Sequence, residues 1–161
     1  MASFLANFYR ATPNETLNMV SDDSPIAPFS IDHYKRYSEL PLEVMDTLRY
    51  SVYIIDYSWI YLFLNKNCRE VLGEEVASWI GKSALDVFKD PKFKTIFDSI
   101  AHGVNTKSFC NATVYSPLRG GQVNIKGHPL EDCYFLSALA LPSKDDLLDE
   151  LRQELNRRKQ K

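Results

Sequence analysis

The chain has 161 residues, of which 45% are hydrophobic and 12% aromatic, and this is typical of one domain with a sizeable core. Its formal net charge of −2 provides no basic face that could neutralise a run of phosphates, which argues against nucleic-acid binding. The apolar runs are far shorter than the roughly 18 residues of a spanning helix, and the three cysteines lack CxxC spacing, so we expect a cytoplasmic protein without a membrane partner.

The first 49 residues are predicted to form an arm and a helical lead-in to the domain. Residues 1–30 contain three of the eight prolines and no sustained periodicity, which predicts a flexible N-terminal arm. This segment also lacks the continuous apolar stretch of a signal peptide. Residues 31–49 are predicted to form a helical lead-in, because apolar side chains recur there every three residues and give one apolar stripe: Leu42, Met45 and Leu48.

Residues 50–102 alternate between strand and helix patterns. Residues 50–56 and 60–65 are rich in β-branched and aromatic side chains and predict the two strands of a hairpin. Trp59 lies in the turn between them, where we expect it to cover an edge or an interface. One or two short helices follow over residues 66–81, the first ending at Gly73 in a left-handed conformation. A longer helix over residues 92–102 has apolar side chains at helical spacing: Phe93, Ile96, Phe97 and Ile100.

The last third of the chain predicts three strands and a helix. Residues 107–116 alternate as a strand, residues 117–121 form a turn, and residues 122–126 and 133–141 are the next two strands. The C-terminal segment, residues 143–161, begins with a variant capping box of Ser143 and Asp146. Its leucines then have the spacing of a coiled-coil seam: Leu148, Leu151 and Leu155. Helices followed by antiparallel strands predict an α+β fold.

A few residues of the first half occur in a specific order. Asp56 ends the first strand, Asn65 ends the second, Gly73 follows a short helix, and Ile80-Gly81-Lys82 comes next. This order resembles the first half of a PAS (Per-Arnt-Sim) sensory domain, although the glycine usual at the hairpin turn is missing. The resemblance covers residues 40–141, with the domain itself at residues 50–142. It implies a five-stranded antiparallel sheet in the order 2-1-5-4-3, flanked by short helices and by amphipathic helices at both ends.

The resemblance also implies a ligand pocket between the sheet and the short helices. Asn111 is the sharpest candidate within it, because an inward amide could orient a ligand and would cost about 1 to 3 kcal/mol if left unpaired. Aromatic side chains at such positions more often fill a core than line a cofactor site, so both interpretations stay open. The residues that match the pocket lining are Tyr53, Phe63, Trp79, Phe93, Phe97, Asn111 and Thr113.

Two subgroups of PAS domains carry cofactors. Asn67-Cys68-Arg69 repeats the tripeptide around the flavin-reactive cysteine of light-sensing LOV domains, but it precedes Gly73 and therefore belongs to a different helix. His102 ends the helix on which some PAS sensors carry a haem ligand. We disfavour both flavin and haem and leave the cofactor unknown. No Cys/His cluster predicts a metal site, and no nucleotide-binding or nucleophile-elbow motif predicts an enzyme.

These observations predict a sensory module in signal transduction, of the kind used in two-component regulation. We expect it to bind a small ligand, to form a homodimer, or to do both, and to regulate an attached effector domain or a partner kinase. The alternative is a ligand-free interaction adaptor whose aromatic side chains fill its core. A small-molecule enzyme resembling ketosteroid isomerase is less favoured, since Asp56 is a weak candidate for its acidic residue. The predicted dimer and signalling contacts are Leu42, Met45, Leu48, Leu148, Leu151 and Leu155.

Overall fold

One antiparallel sheet organises the fold. The computed structural model describes residues 29–160, so nearly all of the predicted arm at residues 1–30 lies outside the described residues. The strand order is β2-β1-β5-β4-β3, which confirms the predicted fold class. The strands are β1 (Ser51–Asp56), β2 (Tyr61–Leu64), β3 (Cys110–Ser116), β4 (Gly121–Pro129) and β5 (Cys133–Ala140).

Within residues 29–160, five α-helices and four 3₁₀ turns accompany the sheet. The helical lead-in is shorter than predicted: since Pro41 favours an extended Leu40, two 3₁₀ turns precede only four helical residues. None of the helices in residues 29–160 is both long and apolar enough to span a membrane. The helices are α1 (Leu42–Met45), α2 (Lys66–Leu72), α3 (Ala84–Phe88), α4 (Lys94–Thr106) and α5 (Lys144–Lys159), and the 3₁₀ turns are Ile31–His33, Tyr37–Glu39, Glu74–Trp79 and Pro91–Phe93.

The two faces of the sheet pack into two separate cores. Alternation along β1 sends Tyr53 and Ile55 to one face and Val52 and Ile54 to the other, as expected of a strand. The first face packs against α2, α3 and α4, and we call this side the inner core. The second face packs against residues 29–48, and we call that side the outer core. A strand buried on both faces explains why β1 reads as a continuous apolar run.

The outer core contains part of the predicted dimer contact. Met45 is fully buried and Leu48 nearly so, and burying such a side chain stabilises the fold by about 1.5 to 3 kcal/mol. Leu42 is half-buried against the same cluster. Met45 and Leu48 therefore pack within their own chain and are withdrawn from the hypothesis of a contact between subunits.

Asn65 joins the hairpin to α2. Its Oδ1 accepts hydrogen bonds from the backbone N–H groups of Val52 at 3.0 Å and Cys68 at 3.2 Å. Its Nδ2 donates to the carbonyl oxygens of Met45 and Tyr50, both at 2.9 Å. The fully buried amide therefore uses both acceptor and both donor positions. It caps α2 and fixes β1 and α1 to it at the same time.

The hairpin turn uses Asp56 and Trp59. Asp56 Oδ1 accepts hydrogen bonds from the N–H groups of Ser58 and Ile60, both at 2.9 Å. Trp59 has a φ of +66°, which is unusual for a bulky residue and common for glycine. Its ring packs in the inner core, 5.3 Å from the ring centre of Phe97. The expectation that Trp59 covers an edge or an interface is therefore wrong.

The two glycines of the sequence pattern shape the connection after β2. Gly73 ends α2 as predicted, but the expected left-handed conformation is wrong: φ is +97° and ψ is 157°, a different region that is almost restricted to glycine. Gly81 has φ +78°. Its N–H donates to the carbonyl oxygen of Tyr61 at 2.8 Å, and the N–H of Tyr61 donates to the carbonyl oxygen of Lys82 at 3.0 Å. The Gly81-Lys82 segment therefore occupies hydrogen-bonding groups on the outer edge of β2, which would otherwise be free.

Candidate ligand cavity

A cavity of about 80 Å³ lies between the inner face of the sheet and the helices. A single water needs only about 10 to 15 Å³ of such space, so the cavity has room for several waters or a small organic molecule. The strands line it with Tyr53, Ile55, Tyr61, Val123, Ile125, Leu136 and Ala138. The helical side contributes Leu72, Trp79, Ala84, Val87, Phe88, Phe93, Ile96 and Ile100.

Three of the predicted pocket residues line this cavity: Tyr53, Trp79 and Phe93. Phe97 lies beside it, packed against Trp59 and against Phe88, with 5.6 Å between the ring centres of Phe97 and Phe88. The aromatic side chains therefore surround the space and fill part of it. Their contact with a ligand remains a prediction.

The prediction for Phe63 is wrong because of a β-bulge. Tyr53 pairs with Leu64 and Ile54 with Phe63, but Ile55 pairs with Tyr61. Leu62 is thus the extra residue of the bulge, which reverses the alternation of the strand beyond it. Phe63 and Leu62 both pack in the outer core, whereas Tyr61 takes the inward position.

The predictions for Asn111 and Thr113 are also wrong. Both side chains are exposed on the outer face of β3, where Asn124 Nδ2 donates to Asn111 Oδ1 at 2.8 Å. The opposite face of the strand packs against the inner core through Ala112 and Val114. The apolar side chains turn inward because burying unpaired amide and hydroxyl groups would cost several kcal/mol.

Arg119 is a cavity residue that the sequence analysis missed. It lies in the turn between β3 and β4, where Gly120 N–H donates to Ser116 O at 2.8 Å and Gly120 has φ +67°. Ser116, Leu118 and Arg119 all line the same end of the cavity. Among residues 29–160, Arg119 is the one charged residue that lines the cavity.

The guanidinium of Arg119 is tied to the start of β1. Its Nη2 donates a short hydrogen bond to Ser51 Oγ, and Ser51 Oγ donates to Asn67 Oδ1 at 3.0 Å. Ser51 is fully buried. This chain of polar groups holds a positive charge in the lining of a mostly apolar space.

The tyrosine hydroxyls of the lining stay neutral. Burial raises the pKa of Tyr53 well above its usual range, and the positive charge of Arg119 partly opposes that shift. Burial likewise raises the pKa of Tyr61. Near neutral pH both side chains can therefore donate a hydrogen bond to a ligand.

The residues considered for cofactors lie outside the cavity lining. The Sγ of Cys68 donates to Val52 O at 3.2 Å, and burial raises the pKa of this thiol, which disfavours the reactive thiolate. His102 is exposed on α4. Within residues 29–160, no group of three or more His, Cys, Asp or Glu side chains is arranged to hold a metal ion.

The sheet order, together with the helices stacked on its inner face, defines the PAS fold. No protein-family model matches the sequence. No curated protein matches it. Among solved structures, the PAS domain of BvgS from Bordetella pertussis is similar, with a TM-score of 0.52 and 16% identity over 71% of this chain and 93% of that chain.

Two further structures give weaker superpositions. The photoactive yellow protein domain of the sensor histidine kinase Ppr from Rhodospirillum centenum has a TM-score of 0.49 and 16% identity, over 63% of this chain and 94% of that chain. The PAS domain of the quorum-sensing receptor RpfR from Cronobacter turicensis, solved in complex with BDSF, has a TM-score of 0.48 and 12% identity, over 59% of this chain and 96% of that chain. At 16% identity, the similarity to the BvgS domain shows the fold alone.

Proposed function

We propose that this chain is a sensory PAS module that binds a small organic ligand in its inner cavity. The observation that carries the proposal is the cavity itself, which is about 80 Å³ in volume and mostly apolar, with a few polar side chains in its lining. Small-molecule sites are typically such concave, preformed spaces with a few polar groups that fix orientation. The proposal includes a regulatory rather than an enzymatic role, and a cytoplasmic location in keeping with three free cysteines.

The output of this module is proposed to run through α5. Its residues Leu148, Leu151 and Leu155 are 40%, 60% and 56% exposed, and α5 buries none of its residues against the rest of residues 29–160. A single helix of this length is only marginally stable in water, so a partner surface is needed to cover its apolar seam. We propose a second copy of the chain as that partner, with an effector domain or a partner kinase receiving the signal.

The ligand proposal is tested by native mass spectrometry of the freshly purified protein, with an absorption spectrum to detect flavin or haem. We expect a colourless protein that carries a small organic mass, lost on denaturation. Ala138→Leu fills the cavity from β5 and should abolish the bound mass. Ala77→Leu adds the same volume at an exposed position and should retain it. A bound mass that survives Ala138→Leu, in a variant with wild-type circular dichroism, would place the ligand elsewhere.

A second function has one observation in its favour. The rings of Trp59 and Phe97 pack against Phe88, which lines the cavity, so part of the interior is filled by the chain itself. A protein that carries no small mass, and that no small organic probe stabilises, would be the ligand-free interaction adaptor instead.

A further inference from the structure

We infer that the ligand is a carboxylate on an apolar chain or ring, with its charged group bound by Arg119. This inference rests on the proposed ligand-binding function and names the chemical class of the ligand. The geometry behind it is a single guanidinium in the lining of a mostly apolar cavity. Such a site favours a molecule that is itself charged at one end and apolar along the rest.

The charge of Arg119 is available to a ligand. The salt bridges within residues 29–160 all use other cations. A guanidinium has five N–H donors, and among the described residues Ser51 Oγ is the side-chain partner of Arg119. An anion would therefore add hydrogen bonds and supply the missing opposite charge.

The guanidinium is also held in place before a ligand arrives. Ser51 Oγ receives its hydrogen bond and passes one on to Asn67 Oδ1 at 3.0 Å, which links the β3–β4 turn to β1 and α2. Less side-chain entropy is then lost on binding. The planar guanidinium of Arg119 can donate hydrogen bonds to both oxygens of a carboxylate at once, and such charged hydrogen bonds are stronger than those between neutral groups.

The remaining lining selects the apolar part of the ligand. Ile55, Ile100, Val123 and Leu136 line the same cavity as Arg119, so each methylene buried against them should tighten binding about fourfold. The affinity should stop rising once the alkyl chain of the ligand is longer than the cavity. A straight-chain acid of medium length is therefore a suitable probe, and the matching alcohol has the same apolar part without the charge.

The experiment is isothermal titration of the whole protein with octanoate and with 1-octanol. We expect octanoate to bind about 10- to 100-fold more tightly than 1-octanol, since hydrogen bonds to a charged group are the strong ones. Arg119→Gln should remove this preference and leave 1-octanol binding unchanged. Arg152→Gln removes the same charge from an exposed position on α5 and should keep the preference.

Ser51→Ala provides a second variant that leaves Arg119 itself intact. It frees the guanidinium from its anchor, so octanoate should bind more weakly while 1-octanol binds as before. Circular dichroism of each variant checks that the fold is retained. Equal affinity for the two probes, or undiminished octanoate binding by folded Arg119→Gln, would overturn the carboxylate inference and leave the cavity proposal standing. If neither probe binds and no small mass accompanies the purified protein, both proposals fail.

Discussion

Asn65 offers the sharpest test of how this fold is held together. Asn65→Leu keeps the approximate volume and removes four side-chain hydrogen bonds. Two of the groups left behind have a second partner, because Cys68 N–H also donates to Asn65 O and Met45 O also accepts from Leu48 N–H. Losing these two bonds costs about 0.5 to 1 kcal/mol each, and leaving the other two groups unsatisfied costs about 1 to 3 kcal/mol each.

The expected loss in the free energy of unfolding is therefore about 3 to 8 kcal/mol, a large part of the total for a domain of this size. Urea unfolding followed by circular dichroism measures it. Asn105→Leu is a matched control, since Asn105 is exposed on α4 and its replacement should change the stability by no more than about 0.5 kcal/mol. A loss of less than about 1 kcal/mol for Asn65→Leu would show that the four bonds do not carry the junction.

Two further predictions concern pH and assembly. Burial lowers the pKa of His128; the negative charge of Asp32 opposes this shift and the positive charge of Lys126 adds to it. In the unfolded chain the His pKa is about 6.5, so below that pH the unfolded chain binds more protons than the folded one. The free energy of unfolding should therefore fall as the pH drops below about 6.5. Urea unfolding at pH 7.5 and at pH 5.5 measures this loss of stability. His128→Gln should make the loss between the two pH values smaller, and the control His102→Gln should leave it as in the wild type. An unchanged loss in His128→Gln would contradict the assignment to His128. For the proposed dimer, the double variant Leu151→Glu, Leu155→Glu should be monomeric by light scattering. The control variant Gln153→Glu, Gln160→Glu adds equal charge away from these leucines, on α5 and at the residue that caps its C-terminus, and should stay dimeric. A dimer in the leucine variant would refute the contact.

Local signals in the sequence predicted the framework. Asn65, Gly73 and Gly81 act within about 20 residues of their own positions, through a cap and backbone turns. Their positions in the chain are therefore enough to indicate the hairpin, the helix end and the edge connection. The sheet order followed from the resemblance that these residues carry.

The cavity was harder to predict because it depends on the phase of each strand and on distant contacts. The alternation along β3 was recognised, but alternation alone does not say whether Asn111 and Thr113 face the inner core or the solvent. The packing of α4 against the other face of the strand decides this. The bulge at Leu62 leaves no signal in an apolar run, so Phe63 was assigned to the wrong core. Arg119 meets Ser51 across 68 positions in the chain, and its place in a turn gives no hint of that contact.

The connection from the cavity to α5 is short. Leu136 and Ala138 of β5 line the cavity, β5 ends at Ala140, and α5 starts at Lys144. Between them Leu141 N–H is still bonded to Gln122 O at 2.9 Å, Pro142 restricts the backbone, and the Ser143–Asp146 capping box fixes the start of the helix. Because Pro142 and the capping box restrict this connection, we expect α5 to follow any movement at the end of β5. Over the helix length of about 24 Å, a tilt of about 5° would displace its far end by about 2 Å.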